Sequence, residues 1–295
     1  MSGFEAVAAG SMPMVALGAA LATAAAAVCG AVLVRGTTAV PAAAWAAAAA
    51  ILLAIDIAGL DTRDAAAAAT LRLVVAAASV CPTMALLGAK RPQHGVWQFI
   101  VLTLAVVLAL PAATAALVRP GSQPDVHPLA MWFLAGLILV GWMNFVGTRH
   151  GVAATLVAVG QAVLARRFLP VPTPAAWAAG GVDRLAACCV AAGGLVAVVQ
   201  SLAACGRRRP PADRTAAIDT AFCAIRETLG AAWALRIAER FNAAAASHGW
   251  PVRLGFGGVE PIATPAPWER DAARTFRSLA RRFVSDAWLV RHGWK

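Results

Sequence analysis

Asp56, in the run ILLAIDIAGL, and Arg72, in TLRLVVAAAS, each stand inside an otherwise apolar stretch. A carboxylate and a guanidinium in such surroundings have two uses. They relay a proton or an ion, or they neutralise each other as a structural pair, because an unpaired charge in an apolar medium is costly. A tight polar turn, DTRD at 61–64, joins the two runs, so the residues reach similar depth near one end of their helices. That shallow position, with no second carboxylate deeper along either run, favours the structural pair.

Other chemistry is sparse. Pro82 and Pro111 lie inside apolar runs. A proline frees a carbonyl and bends a helix, which transporters use to build binding sites and ordinary membrane helices also tolerate. Asn144, Gln161 and Gln200 are isolated polar residues of the kind that hydrogen-bond between helices. None of the histidines (His94, His127, His150, His248, His292) falls in the middle of an apolar run. His94 and His150 sit at helix ends on the same side, where an interfacial haem or metal pair is imaginable, yet no CxxCH and no paired His at opposed helix depths accompany them. Cys29, Cys81, Cys188, Cys189, Cys205 and Cys223 lack ligand spacing, so no metal site or cofactor is expected. Walker, GxSxG and HExxH motifs are missing, and GFGG at 255–258 has no following Lys. With no Tyr in the chain, tyrosyl chemistry is excluded.

The elements that must position these residues follow from hydropathy. The chain is 60% hydrophobic and only 13% charged, with mean hydropathy +0.72, where a soluble domain carries about a quarter charged residues. A spanning helix needs about 20 mostly apolar residues. Candidates are 13–34, 37–59, 65–89, 98–118, 128–147, 151–168 and 185–205, the sixth being the shortest. The breaks between them carry charge, Pro or Gly: Arg35-Gly36, DTRD, KRPQHG at 90–95, RPGSQPDVHP at 119–128, TRHG at 148–151 and the long RRFLPVPTPAAWAAGGVDR at 166–184. Short connections predict antiparallel neighbours. The expectation is an all-α, polytopic membrane bundle of about seven spans over 1–205.

Lys and Arg in short loops set orientation. With seven spans and the N-terminus outside, the cytoplasmic side holds Arg35, Lys90, Arg91, Arg149 and the cluster Arg207, Arg208, Arg209, while Arg63, Arg119, Arg166, Arg167 and Arg184 lie outside. The N-terminal stretch MSGFEAVAAGSMPM has no Lys or Arg, which argues for a retained span rather than a cleaved signal. Trp97 then stands at the interface as an aromatic anchor.

The remaining segment, 206–295, is different in character. From 207 onward fifteen basic residues face eight acidic ones, a net of +7 of the chain's +11. Ile218, Phe222, Ile225, Leu229, Trp233, Ile237 and Phe241 recur at steps of three or four and predict one amphipathic helix over 213–247, capped by Asp213 and ended by Gly249. A turn or short hairpin follows at 250–267. A second helix over 268–291 carries Phe276, Leu279 and Phe283 on one face, with Arg270, Arg274, Arg277, Arg281 and Arg282 around it. These residues predict a basic cytoplasmic tail with two amphipathic helices that pack together and lie on anionic lipid headgroups, or that bind a protein partner. No helix-turn-helix or zinc-finger pattern occurs, so nucleic acid is not an expected partner.

The stretches CPTMALLGAKRPQHGVWQFIVLTLAVVLALP and RETLGAAWALRIAERFNAAAASHGWPVRLGFGG together resemble uncharacterised multi-spanning inner-membrane proteins of high-GC bacteria. The resemblance implies a bacterial inner-membrane location and no activity. The favoured function is non-enzymatic: a scaffold, assembly factor or partner-binding protein working through its tail. The alternative is a small-molecule or ion transporter using the kinks at Pro82 and Pro111; an enzyme acting on lipid comes third.

Overall fold

The computed structural model describes residues 3–59, 62–90, 94–170, 180–207, 210–260 and 268–294. Arg208, Arg209, residues 91–93 of the 90–95 turn with Arg91, the centre of the 166–184 connection and PIATPAP therefore lie outside the described residues. Among the described residues the chain forms eleven α-helices and one small hairpin. The first seven helices are α1 (Gly3–Leu33), α2 (Val40–Ala58), α3 (Ala65–Leu87), α4 (His94–Leu117), α5 (Pro128–Val146), α6 (Gly151–Ala165) and α7 (Gly180–Gly206). Local chemistry starts them where the chain turns. Asp64 Oδ1 accepts from Ala67 N at the head of α3, and His127 Nδ1 accepts from Leu129 N at the head of α5, where Pro128 occupies the first turn.

Six segments are long and apolar enough to cross a membrane: Val40–Ala58, Ala65–Leu87, Gly95–Leu117, Pro128–Val146, Gly151–Phe168 and Val182–Gly206; α1 adds a shorter apolar piece, Leu17–Leu33. Their outer faces carry large exposed side chains such as Phe99, Leu110, Leu117, Trp132 and Leu139. Such a surface is compatible with lipid and gives the coarse class, a multi-pass helical membrane bundle.

Helices α1, α2, α3, α6 and α7 pack in a ring, each against the next and α7 back against α1, while α4 and α5 flank α3. The α6–α7 crossing is close because glycines meet backbone. A Cβ on Gly160 would stand 2.9 Å from Ala186 O, and one on Gly193 2.8 Å from Ala153 O. Pro82 and Pro111 lie inside α3 and α4, where their neighbours Cys81 and Ala112 are buried in apolar clusters.

The tail departs from the two helices expected. It contains α8 (Arg214–Leu229), α9 (Ala231–His248), a hairpin of β1 (Leu254–Gly255) and β2 (Gly258–Val259), α10 (Glu269–Ala280) and α11 (Asp286–Arg291). Asp213 caps α8 and Gly249, with φ +66°, ends α9. The single helix expected over 213–247 breaks at Gly230, whose φ of +84° and ψ of −176° suit only glycine. The second helix breaks over 281–285, where Val284 forms a β-bridge with Thr37 in the α1–α2 turn. In both places a contact to the bundle replaces helical hydrogen bonds. The apolar stripe is nonetheless buried: Ile218, Phe222, Ile225, Leu229, Ile237 and Phe241 form one core with Phe276, Phe283 and Trp288, joined by Ala39 and Leu86 from the bundle.

Candidate functional site

Two polar constructions stand out, one at each end of the helical ring. At the first, Arg72 Nε donates to Asp56 Oδ2 at 3.1 Å, as the depth argument requires. The pair is part of something larger. Arg72 also pairs with Asp183, which in turn pairs with Arg166, and all four side chains are buried. The charges balance, two against two, and the four residues come from α2, α3, the end of α6 and the start of α7. Arg166 Nη1 further donates to Val163 O. Sequence reasoning placed Arg166 and Asp183 in a charged loop and so missed half of the network. Charge was the misleading signal: because Asp183 is neutralised, α7 begins before it, at Gly180, rather than at 185. Among the described residues, Asp56 Oδ1 and Arg72 Nη2 have no hydrogen-bond partner.

At the other end, α8–α11 are fastened to three turns of the bundle. On the α1–α2 turn, Thr38 N donates to Phe283 O at 2.8 Å, Ser285 N donates to Gly36 O at 2.7 Å, and Arg291 Nη2 donates to Arg35 O at 2.8 Å. At the end of α3, Trp233 Nε1 donates to Leu86 O at 2.9 Å. Beside the α5–α6 turn, Asn144 fills the break between α8 and α9. Its Nδ2 donates to Leu229 O at 3.1 Å, and its Oδ1 accepts from Ala232 N at 3.0 Å. One buried amide thus satisfies the last carbonyl of one helix and an early N–H of the next. Glu227, also buried, accepts from Arg149 N at 2.9 Å and holds Arg226 at 2.6 Å. The signal for this lock was Asn144, a lone amide in an apolar helix.

The remaining candidates divide by their neighbours. Phe241 is buried and meets Phe276 edge-on at 6.2 Å; Trp233 is half-buried and lies 4.8 Å from Phe283. Asp271 holds Arg274, and Asp286 takes both Arg277 and Arg281 at 2.9 Å. Arg207 is exposed. Arg282 is exposed too, and with Lys90, Arg236 and Arg240 it lines a cavity backed by Trp233 and Phe283. Trp97 donates from Nε1 to Met84 O at 2.7 Å. His150 lies against Gln200 Oε1 at 3.1 Å, with Arg149 Nε directed at its Nε2; burial first, then Arg149, lowers its pKa. Among the described residues no group of three or more His, Cys, Asp or Glu could hold a metal ion.

Comparison of the chain with protein-family models, with curated proteins and with solved structures finds no match.

Proposed function

We propose that the protein is a non-enzymatic scaffold or partner-binding protein of a bacterial inner membrane. Seven helices cross, with the N-terminus outside and residues 206–295 forming a cytoplasmic platform. The carrying observation is the lock between α8–α11 and three turns of the bundle, made by Asn144, Trp233, Glu227 and the 283–285 backbone. It supports a platform held in fixed register with the membrane, the property a scaffold needs. The same lock supports the topology, since the α1–α2, α3–α4 and α5–α6 turns share a side with the segment after α7. Leu235 and Val290, 53% and 63% exposed, offer apolar contact points on the platform. The test is isolation of the protein from its own membranes in mild detergent. A stoichiometric partner should co-purify and be lost from Leu235→Asp/Val290→Asp, while the variant's melting temperature stays unchanged. A protein that runs alone, with the variant indistinguishable in cells, would sink the reading.

A transporter is the second reading, and the two unpartnered atoms in the Asp56–Arg72 network favour it. Solute or proton flux through liposomes containing the purified protein, abolished by Asp56→Asn, would establish it in place of the scaffold.

A further inference from the structure

The cavity at the junction of α3, α9 and α10 lies apart from the ion network and shares only Trp233 and Phe283 with the lock. It has a volume of about 140 Å³, and Lys90, Arg236, Arg240 and Arg282 line it. Among the described residues none of the four forms an ion pair with a carboxylate, whereas Arg274, Arg277 and Arg281 nearby all do. Four cations gathered without anions repel one another, so the site is built for a negative group. Its backing is apolar: Phe283 is 5% exposed, and the Trp233 ring beside it spends its one N–H on Leu86 O. A phosphate joined to an apolar body suits such a surface.

We infer that this cavity binds the phosphate of an anionic membrane phospholipid, which then ties the platform to the leaflet beneath it. The inference deepens the scaffold reading and rests on it for the leaflet concerned. Two observations select a lipid over a soluble phosphometabolite. The cavity is small beside the ~300–1,000 Å³ of a pocket that encloses a whole ligand, so it takes a headgroup whose remainder lies elsewhere. Lys90 sits three residues beyond the end of α3, the helix end at which a headgroup would lie.

The experiment uses the full-length protein in a neutral detergent, titrated separately with dioctanoyl phosphatidylglycerol, dioctanoyl phosphatidylcholine and inorganic phosphate. Bound lipid is read by native mass spectrometry, and folding by the thermal transition. Phosphatidylglycerol should bind and raise the melting temperature, and the other two should not at equal concentration. Arg240→Gln should weaken binding about fivefold, and each further cation removed about fivefold again, given the typical contribution of one basic residue near an anionic surface. The quadruple variant Lys90→Gln/Arg236→Gln/Arg240→Gln/Arg282→Gln changes only exposed or half-buried side chains and should still melt cooperatively. A charge-matched control at exposed residues, Arg119→Gln/Arg167→Gln/Arg214→Gln/Arg253→Gln, should bind as the unaltered protein does. Equal weakening by both quadruple variants would overturn the site and leave only diffuse attraction. Inorganic phosphate binding as tightly as phosphatidylglycerol would overturn the lipid as its occupant. Binding in micelles does not depend on membrane orientation, so a failed topology assay would remove the leaflet assignment and not the site.

Discussion

At the scale of single residues, Asp183 is the centre of the buried network, since both Arg72 and Arg166 turn to it. Asp183→Asn should leave two buried guanidinium groups short of charge and cost about 3–5 kcal/mol, read as a drop in melting temperature and in yield of folded protein. The double change Asp56→Leu/Arg72→Leu leaves the Arg166–Asp183 pair intact and should cost less than Arg72→Leu alone. The meeting of Asp56 and Arg72 was legible because a short turn fixes their depth. Asp183 was not, because a charge beside a Pro-rich connection looks solvated until its distant partners are known. His150 gives a second test, through acidity. Its folded pKa is depressed below its ordinary value of about 6.5. The unfolded chain therefore binds the proton more readily, so the stability His150 contributes is present above pH ~6.5 and lost as pH falls through the folded pKa. The melting temperature should fall between pH 7 and pH 5, and His150→Gln should flatten that slope.

At the scale of elements, the break at Gly230 was hidden by the pattern that seemed to deny it. The apolar stripe keeps its spacing from Leu229 to Trp233, so periodicity reads straight through a junction where the backbone turns. What makes the junction is Asn144, a residue 85 positions from Leu229, and no local rule carries that information. Gly230→Ala should be strongly destabilising, because the added Cβ would overlap the Asn144 side chain at a backbone angle that side chains avoid. Asn144→Leu should strand Leu229 O and Ala232 N, at about 1–3 kcal/mol for each buried group left without a partner. Hydrogen exchange should then rise at 229–233 ahead of the rest of the protein. Exchange unchanged in both variants would show that the bundle does not hold this junction. In the membrane helices, Gly193→Leu should loosen α6 from α7, read as faster cross-helix proteolysis or a lower melting temperature, since its side chain would meet Ala153 O and Val157.

At the scale of the whole molecule, the ring of helices is closed at both ends, by ions at one and by the platform at the other. The apolar runs were legible from composition, and so was the basic final segment. Their attachment was not, because part of it is made by backbone groups at Gly36, Thr38, Phe283 and Ser285, which have no sequence signature, and the side chains that complete it, Asn144 and Trp233, reach partners far away in the chain. The proposed topology predicts that, with the six native cysteines replaced by Ala, a cysteine introduced at Ser247 will react with an impermeant maleimide only after the inner membrane is opened; labelling in intact spheroplasts would reverse it. The contact between Arg291 and Arg35 spans 256 positions. A ribosome adding about 5–20 residues per second needs roughly 13–50 s to travel that far. Until Ser285 and Arg291 have been made, the carbonyls of Gly36 and Arg35 lack the donors those residues supply. The α1–α2 turn is therefore made long before the segment that fastens it.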